Sequence, residues 1–118
     1  METKNALAAL AALAQETRLA VFRLLIETGP EGLPVGKIGE RVGVTGATLS
    51  FHLKELTRAD LVTMRPAGRY VYCVANFATM QNLLAYLTKN CCGGRGIYTP
   101  VCEPTLCQPQ PTSEKDTV

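Results

Sequence analysis

The sequence predicts a mainly α-helical domain with one β-hairpin, in the order α-α-α-α-β-β-α. Apolar residues recur at helical spacing through most of residues 4–58 and again over 77–90. A break that contains Gly43 separates two short helical patterns. Two β-prone runs then flank a Pro-Ala-Gly turn at residues 66–68. Two helices joined by a short glycine-containing turn and followed by a hairpin form a winged helix-turn-helix.

The first two helices are expected over residues 4–14 and 16–28. In the first, Leu7, Leu10 and Ala14 share one side, and its many alanines favour a helix. Because its other faces are also small and apolar, the helix can pack on its own domain and on a partner. The second helix has an apolar stripe and ends before Gly29-Pro30; its members are Leu19, Phe22, Leu25 and Ile26.

The helix-turn-helix is expected over residues 35–58. A short helix over 35–42 directs Ile38 and Val42 inward, and Gly43 provides a left-handed exit. Thr45 is expected to cap the second helix, which runs to about Arg58. Val44 and Leu49 have the spacing of a hydrophobic staple, and Leu49, Leu53 and Leu56 are expected to face the core.

The hairpin is expected to pair residues 61–65 with 69–74, with Arg65 and Arg69 beside its tip. Cys73 is interpreted as core filling between strand and helix. The last helix, over 77–90, is strongly amphipathic although the core is already complete, which predicts that another subunit covers its apolar face. We therefore expect a winged helix-turn-helix DNA-binding and dimerisation domain over 1–90. Residues 91–118 are expected to form a largely flexible tail that contains cysteines.

Charge and composition bound the function. The 118 residues carry a net charge of only +2, but six basic and three acidic side chains lie between Pro34 and Tyr70. This cluster fits DNA, although a solvated face of mixed charge is an equally open reading. The alanine run after Lys4 faintly resembles a signal peptide but continues without a break into the next helix. Because no apolar stretch approaches about 20 residues, we expect a cytoplasmic protein with no membrane partner.

The single histidine and the lack of paired carboxylates or a Ser/His/Asp order argue against an enzyme or an organic cofactor. Five cysteines, an odd number, argue against a closed disulfide framework, and none occurs before residue 73.

Three segments carry a family resemblance: residues 10–25 (LAALAQETRLAVFRLL), residues 49–62 (LSFHLKELTRADLV) and residues 68–72 (GRYVY). They resemble, in this order, the opening, the recognition-helix motif and the wing of the ArsR/SmtB metalloregulators. The resemblance covers about residues 5–90. It implies a homodimeric repressor whose first and last helices form the interface. Such a repressor binds double-stranded operator DNA and leaves it when an inducer binds.

A recognition helix places its N-terminal residues, here including Gly46 and Phe51, on base edges in the major groove. The expected DNA contacts are Thr45, Ala47, Thr48, Ser50, His52, Lys54, Arg65 and Arg69. Ser and Thr can bond bases or phosphates, and the two wing arginines suit phosphates or the minor groove. For His52, a partly buried position that bridges helices stays open, although the family motif places it toward the groove.

The cysteines indicate the inducer. Many arsenic-responsive members carry Cys-x-Cys in the first helix of the helix-turn-helix, but residues 33–41 (LPVGKIGER) contain no cysteine. Zinc-responsive members use His and carboxylates on the last helix, and residues 77–90 contain none. The sequence instead resembles an arsenic-responsive subgroup with a C-terminal Cys-Cys pair and a later cysteine.

Trivalent arsenic is a soft acceptor that prefers three thiolates. Cys91 and Cys92 offer two, and the glycines of residues 93–96 let the chain turn back so that Cys102 supplies the third. Cys107 is a substitute or a spare. The inducer is thus expected to be arsenite, with antimonite or organoarsenicals as alternatives, and an organoarsenical needs only two sulfurs. A disulfide-based redox switch and a loose tail with redox-sensitive thiols stay open, whereas zinc is disfavoured because adjacent cysteines fit a tetrahedron poorly.

Overall fold

The computed structural model describes residues 1–94, and its elements follow the predicted order with one short strand added. The α-helices of this part of the chain are α1 Thr3–Leu13, α2 Glu16–Thr28, α3 Val35–Val42, α4 Gly46–Arg58 and α5 Phe77–Leu87. The strands are β1 Leu33–Pro34, β2 Val62–Ala67 and β3 Tyr70–Ala75, and a short 3-10 segment covers Cys91–Gly94. None of these helices is long and apolar enough to cross a bilayer.

The chain divides into two compact units within α5. The first comprises Met1–Met80, and the second begins at Gln81. The first unit contains α1 to α4, the sheet and the first turn of α5. The predicted division between residues 90 and 91 stays a prediction, and most of the predicted tail lies outside the described residues.

Helix α1 packs on its own domain through alanines, not through the side that carries Leu7 and Leu10. Ala6, Ala9 and Ala12 are buried, whereas Leu7 is 61% and Leu10 40% exposed. Small side chains let α1 approach α2 and α4 closely. Of the two apolar sides of α1, the alanine side therefore packs on the domain, and Leu7 and Leu10 form an outward apolar face of the single chain.

In helix α2, the buried side also differs from the predicted one. Val21, Phe22 and Leu25 are buried, but Leu19 is 46% exposed. The buried stripe therefore lies toward Val21, and the predicted inward position of Leu19 was wrong.

The hairpin lies in a three-stranded antiparallel sheet of order β1-β3-β2 within residues 1–94. Leu33 pairs with Cys73, an addition that two residues of sequence could not indicate. The turn comprises Gly68, at φ 66°, and Arg69, so the predicted turn at 66–68 was placed too early. Pro66 instead pairs with Val71 inside β2. A proline is tolerated there because β2 is an edge strand.

The helix-turn-helix forms as predicted around Gly43. Gly43 has φ 76°, and its N–H donates to the Gly39 carbonyl at 2.8 Å, which ends α3. The Val44 N–H donates to the same carbonyl at 3.1 Å, so the chain folds tightly back over Gly39. Thr45 occupies the N-cap position of α4 with extended backbone, but its side chain makes no capping hydrogen bond, contrary to the prediction.

Candidate nucleic-acid interface and thiol pair

Helix α4 presents one exposed face, which we call the DNA face: Ala47, Thr48, Ser50, Phe51 and Lys54. Leu49, Leu53 and Leu56 are buried on its other side. This division follows from helical spacing, since residues three or four apart share a face. The DNA face contains four of the predicted contacts, and Thr45 is exposed at its N-terminal end.

The start of α4 is open to an anion. The first-turn N–H groups of a helix have no partner within the helix, and the Thr45 side chain does not accept from them. Gly46 has φ 65° and nothing lies within 4 Å of the position that a Cβ would take. Gly46 therefore leaves open space beside the positive end of the helix, where a phosphate is favoured.

His52 lies away from this face. It is 9% exposed, and its Nδ1 lies 3.2 Å from Arg18 Nη1. Arg18 also donates from Nε to the Ala12 carbonyl at 2.7 Å, so the pair joins α4 to α2 and the end of α1. Because a guanidinium only donates, Nδ1 accepts, which leaves the proton of a neutral ring on Nε2.

The structure therefore favours the bridging role for His52 over the predicted DNA contact, because its ring is turned inward. The sequence did not single out Arg18, the residue that contacts His52 in this bridge. It precedes His52 by 34 positions, and no sequence motif indicated that the two would meet.

The two wing arginines differ. Arg69 lies in the exposed turn, at the tip of the wing. Arg65 is set back from the tip: it donates to the Glu31 carbonyl at 2.8 Å, and its guanidinium lies 4.8 Å from the centre of the Tyr72 ring. The predicted placement of both arginines beside the tip therefore holds only for Arg69.

Cys73 occupies the core, as predicted. It is fully buried, and its Sγ lies 3.2 Å from Met64 Sδ on the neighbouring strand. Burial raises the pKa of this thiol to about 11. A buried group that stays protonated at neutral pH is a poor nucleophile and a poor metal ligand.

Cys91 and Cys92, which we call the thiol pair, follow the end of α5. The helix ends at Leu87, three residues before the predicted end. The Cys91 N–H donates to the Thr88 carbonyl at 2.9 Å. Asn90 and Cys92 have φ 59° and 56°, a left-handed conformation that costs non-glycine residues free energy. The two Sγ atoms lie 3.7 Å apart, with Cys92 exposed and Cys91 half-buried.

The geometry of the thiol pair fits one thiophilic atom. When two sulfurs bind the same ion at about 2.3 Å each, the Zn–S distance, they lie at most about 4.6 Å apart. The observed separation of 3.7 Å satisfies this limit without a change of backbone. The hydrogen bond to Cys92, reduced hydration and the charge of a Cys92 thiolate raise the pKa of Cys91 above its usual range. Cys102 and Cys107 lie outside the described residues, and residues 1–94 hold no cluster of three metal-binding side chains.

Thiol labelling should separate these cysteines. We expect iodoacetamide to modify Cys91 and Cys92 in the native protein at pH 8 and to leave Cys73 intact, because Cys73 is buried and protonated. Peptide mass spectrometry reads the result, and all three should react in denaturant. Labelling of native Cys73 at the same rate as Cys92 would contradict this assignment.

Comparison with known proteins shows what the chain resembles. Residues 13–65 match a family model described as a helix-turn-helix domain. An uncharacterised HTH-type transcriptional regulator, YceK of Bacillus subtilis, is 37% identical over 73 residues, which cover 62% of this chain and 72% of YceK.

Solved structures show the same fold. An ArsR-like transcriptional regulator from Rhodococcus sp. RHA1 is 23% identical, with a TM-score of 0.65 over 73% of this chain and 78% of that one. The homodimeric winged helix-turn-helix domain of Mb0332 from Mycobacterium bovis is 19% identical, with a TM-score of 0.59 over 81% of this chain and 89% of that one. The predicted winged helix-turn-helix fold is confirmed.

Proposed function

This chain belongs to the helix-turn-helix transcriptional regulators, and from that premise we propose that it is a homodimeric ArsR/SmtB-type repressor released from its operator by trivalent arsenic. As a regulator of this class it is a DNA-binding protein and not an enzyme. The observation that carries the arsenic proposal is the thiol pair, with its two sulfurs 3.7 Å apart at the end of α5. We place its action in the cytoplasm.

Exposed leucines support the dimer. Leu7 and Leu10 form an apolar face on α1, and Leu87 on α5 is 54% exposed. Apolar side chains on one helix face favour burial against another surface. Mb0332, which shares the fold, is homodimeric, and this agrees with a second copy as the partner.

Arsenic capture follows from thiol chemistry. Each thiol replaces one hydroxyl of arsenous acid and releases one water, with no oxidation or reduction. Because the overall reaction consumes protonated thiols, the raised pKa of Cys91 does not oppose it. Cys91 and Cys92 supply two sulfurs, and we propose that Cys102 supplies the third. Antimonite shares this preference, and an organoarsenical needs only the thiol pair.

Release requires that inducer and operator favour different arrangements of the dimer. Helix α5 begins at Phe77, just after β3 in the sequence, and ends at Leu87, four residues before Cys91. We propose that ligation orders the chain after α5, shifts the helix end and changes the spacing of the two α4 helices. By thermodynamic linkage, the inducer then weakens operator binding and the operator weakens inducer binding by the same free energy, about 1–3 kcal/mol.

A redox switch is the second candidate, supported by the same closeness of two free thiols. Oxidation would join Cys91 and Cys92, or one of them and a later cysteine. The thiols would lose two electrons and two protons to an oxidant such as peroxide, which leaves as water. No arsenic is needed for this route.

A gel shift with DNA from upstream of the gene, repeated with arsenite and with peroxide, distinguishes the candidates. The arsenic proposal predicts release by arsenite under reducing conditions. Release by peroxide alone, reversed by dithiothreitol, would instead support the redox switch. Unchanged binding in both would contradict both proposals.

The wing makes a separate prediction. We expect Arg69→Ala to weaken binding to all DNA sequences and to lower the salt dependence of affinity by up to about one phosphate contact. Arg65→Ala should change the slope less, because Arg65 is held by the Glu31 carbonyl and Tyr72. Fluorescence anisotropy at several salt concentrations measures both slopes. If Arg69→Ala leaves the slope unchanged, the wing tip does not touch phosphate.

A further inference from the structure

Phe51 is an exposed aromatic residue in the middle of the DNA face. Its side chain is 54% exposed, although phenylalanine is normally among the most buried residues. The ring makes an edge contact with His52, with centroids 5.4 Å apart. Ala47 and Lys54, one helical turn away on either side, are exposed beside it.

Neither core packing nor helix capping explains why an exposed phenylalanine occupies position 51. The apolar side of α4 is already filled by Leu49, Leu53 and Leu56, and Phe51 lies on the opposite side. An exposed ring in water gains free energy when an apolar surface covers it. In a recognition helix, the surface that approaches this side is the floor of the DNA major groove.

The major groove offers Phe51 one apolar group. Base edges there present hydrogen-bond donors and acceptors, and the exception is the C5-methyl group of thymine. Phenylalanine carries no donor or acceptor, so it cannot distinguish bases by hydrogen bonding. The neighbouring Ala47 has a small side chain, which leaves room for a base edge to come close.

We propose that Phe51 is a specificity-determining residue that reads the methyl group of one thymine in each operator half-site. This inference rests on α4 as the recognition helix and is independent of the inducer. The ring covers the methyl group, while Ser50 and Lys54 supply the polar contacts around it. Thymine is therefore required at this position because its methyl group contacts the Phe51 ring, not because of a hydrogen bond.

Replacing thymine by deoxyuridine tests the proposal, because it removes the methyl group and keeps every hydrogen-bonding atom. The full-length protein first selects its preferred duplex from a random pool, without arsenite. Each thymine in the selected site is then replaced singly by deoxyuridine, and affinity is measured by fluorescence anisotropy. One buried methyl group corresponds to about a fourfold change in affinity.

We expect one replacement in each half-site to weaken wild-type binding about fourfold. Phe51→Ala should bind the thymine duplex more weakly and treat thymine and deoxyuridine alike at that position. Phe51→Leu keeps an apolar side chain and should retain part of the preference. Tyr70→Ala removes an equally exposed aromatic residue from the wing, 58% exposed, and should keep the full preference.

Two results would overturn the proposal: a wild-type protein indifferent to every deoxyuridine, or a Phe51→Ala variant that still prefers thymine at the sensitive position. Thermal unfolding checks that the variants fold, and little change is expected because Phe51 is exposed. A protein that enriches no duplex would contradict its DNA-binding class and this inference together. Binding that ignores the methyl group contradicts the inference alone, whatever arsenite does.

Discussion

A Cys91→Ser, Cys92→Ser double variant is expected to bind its operator as the wild type does and to remain bound when arsenite is added. Serine preserves the size of each side chain but removes the soft sulfur that binds arsenic. Neither cysteine lies on the DNA face, so basal affinity should stay within about twofold. Wild-type affinity should fall about 5–150-fold with arsenite, the range of a typical allosteric coupling.

Cys73→Ala is the matched control for this variant. It removes a thiol that is buried in the sheet against Met64, so release by arsenite should persist if the variant folds. Anisotropy of labelled operator measures affinity with and without arsenite, and thermal unfolding reports on folding. Release of the double-serine variant at wild-type arsenite concentrations would place the inducer site elsewhere.

Gly39→Ala should destabilise the protein strongly, whereas Gly36→Ala, one turn earlier in α3, should stabilise it slightly. A Cβ on Gly39 would lie 2.6 Å from the Val44 carbonyl oxygen and 3.2 Å from Leu49 Cδ2. The first neighbour is backbone, so the turn itself must move. Overpacking of this kind costs about 1–3 kcal/mol, even though alanine favours a helix over glycine.

Gly36 is the matched control because nothing lies within 4 Å of its Cβ position. There the alanine should add about 0.5–1 kcal/mol to the free energy of unfolding. Thermal or urea unfolding measures both changes, and roughly 4–8 °C in Tm corresponds to 1 kcal/mol for a domain of this size. Equal effects of the two substitutions would contradict the close approach at Gly39. Because α4 begins just beyond this turn, Gly39→Ala should also weaken operator binding.

Sequence patterns predicted the order of elements because helices and strands have different periods. Gly43 marked the turn of the helix-turn-helix, and its positive φ explains why a glycine stands there. The side of α1 that packs on the domain was harder to predict, because alanine and leucine are both apolar. What distinguishes the two is how closely the neighbouring helix can approach. Ala9 is fully buried while Leu7 is exposed, because close helix approach favours the smaller side chain.

Contacts between residues that are far apart in the sequence were harder to predict from it. Strand β1 has only two residues, and its pairing of Leu33 with Cys73 spans 40 positions. The contact between Arg18 and His52 likewise depends on three helices meeting. The family motif favoured the groove for His52, but the ring faces inward. Adjacent cysteines, in contrast, are close by covalent structure, so the thiol pair could be anticipated from sequence. Its 3.7 Å sulfur separation could not, because it depends on the positive φ of Cys92 and on the side-chain rotamers of both cysteines.

The most direct measurement follows operator release and thiol protection in the same arsenite titration. Anisotropy reports the fraction of labelled operator still bound, and timed alkylation with peptide mass spectrometry reports the free fraction of Cys91 and Cys92. We expect both cysteines to become protected over the arsenite range in which the operator dissociates. Dissociation while both cysteines remain fully open to alkylation would contradict the arsenic proposal.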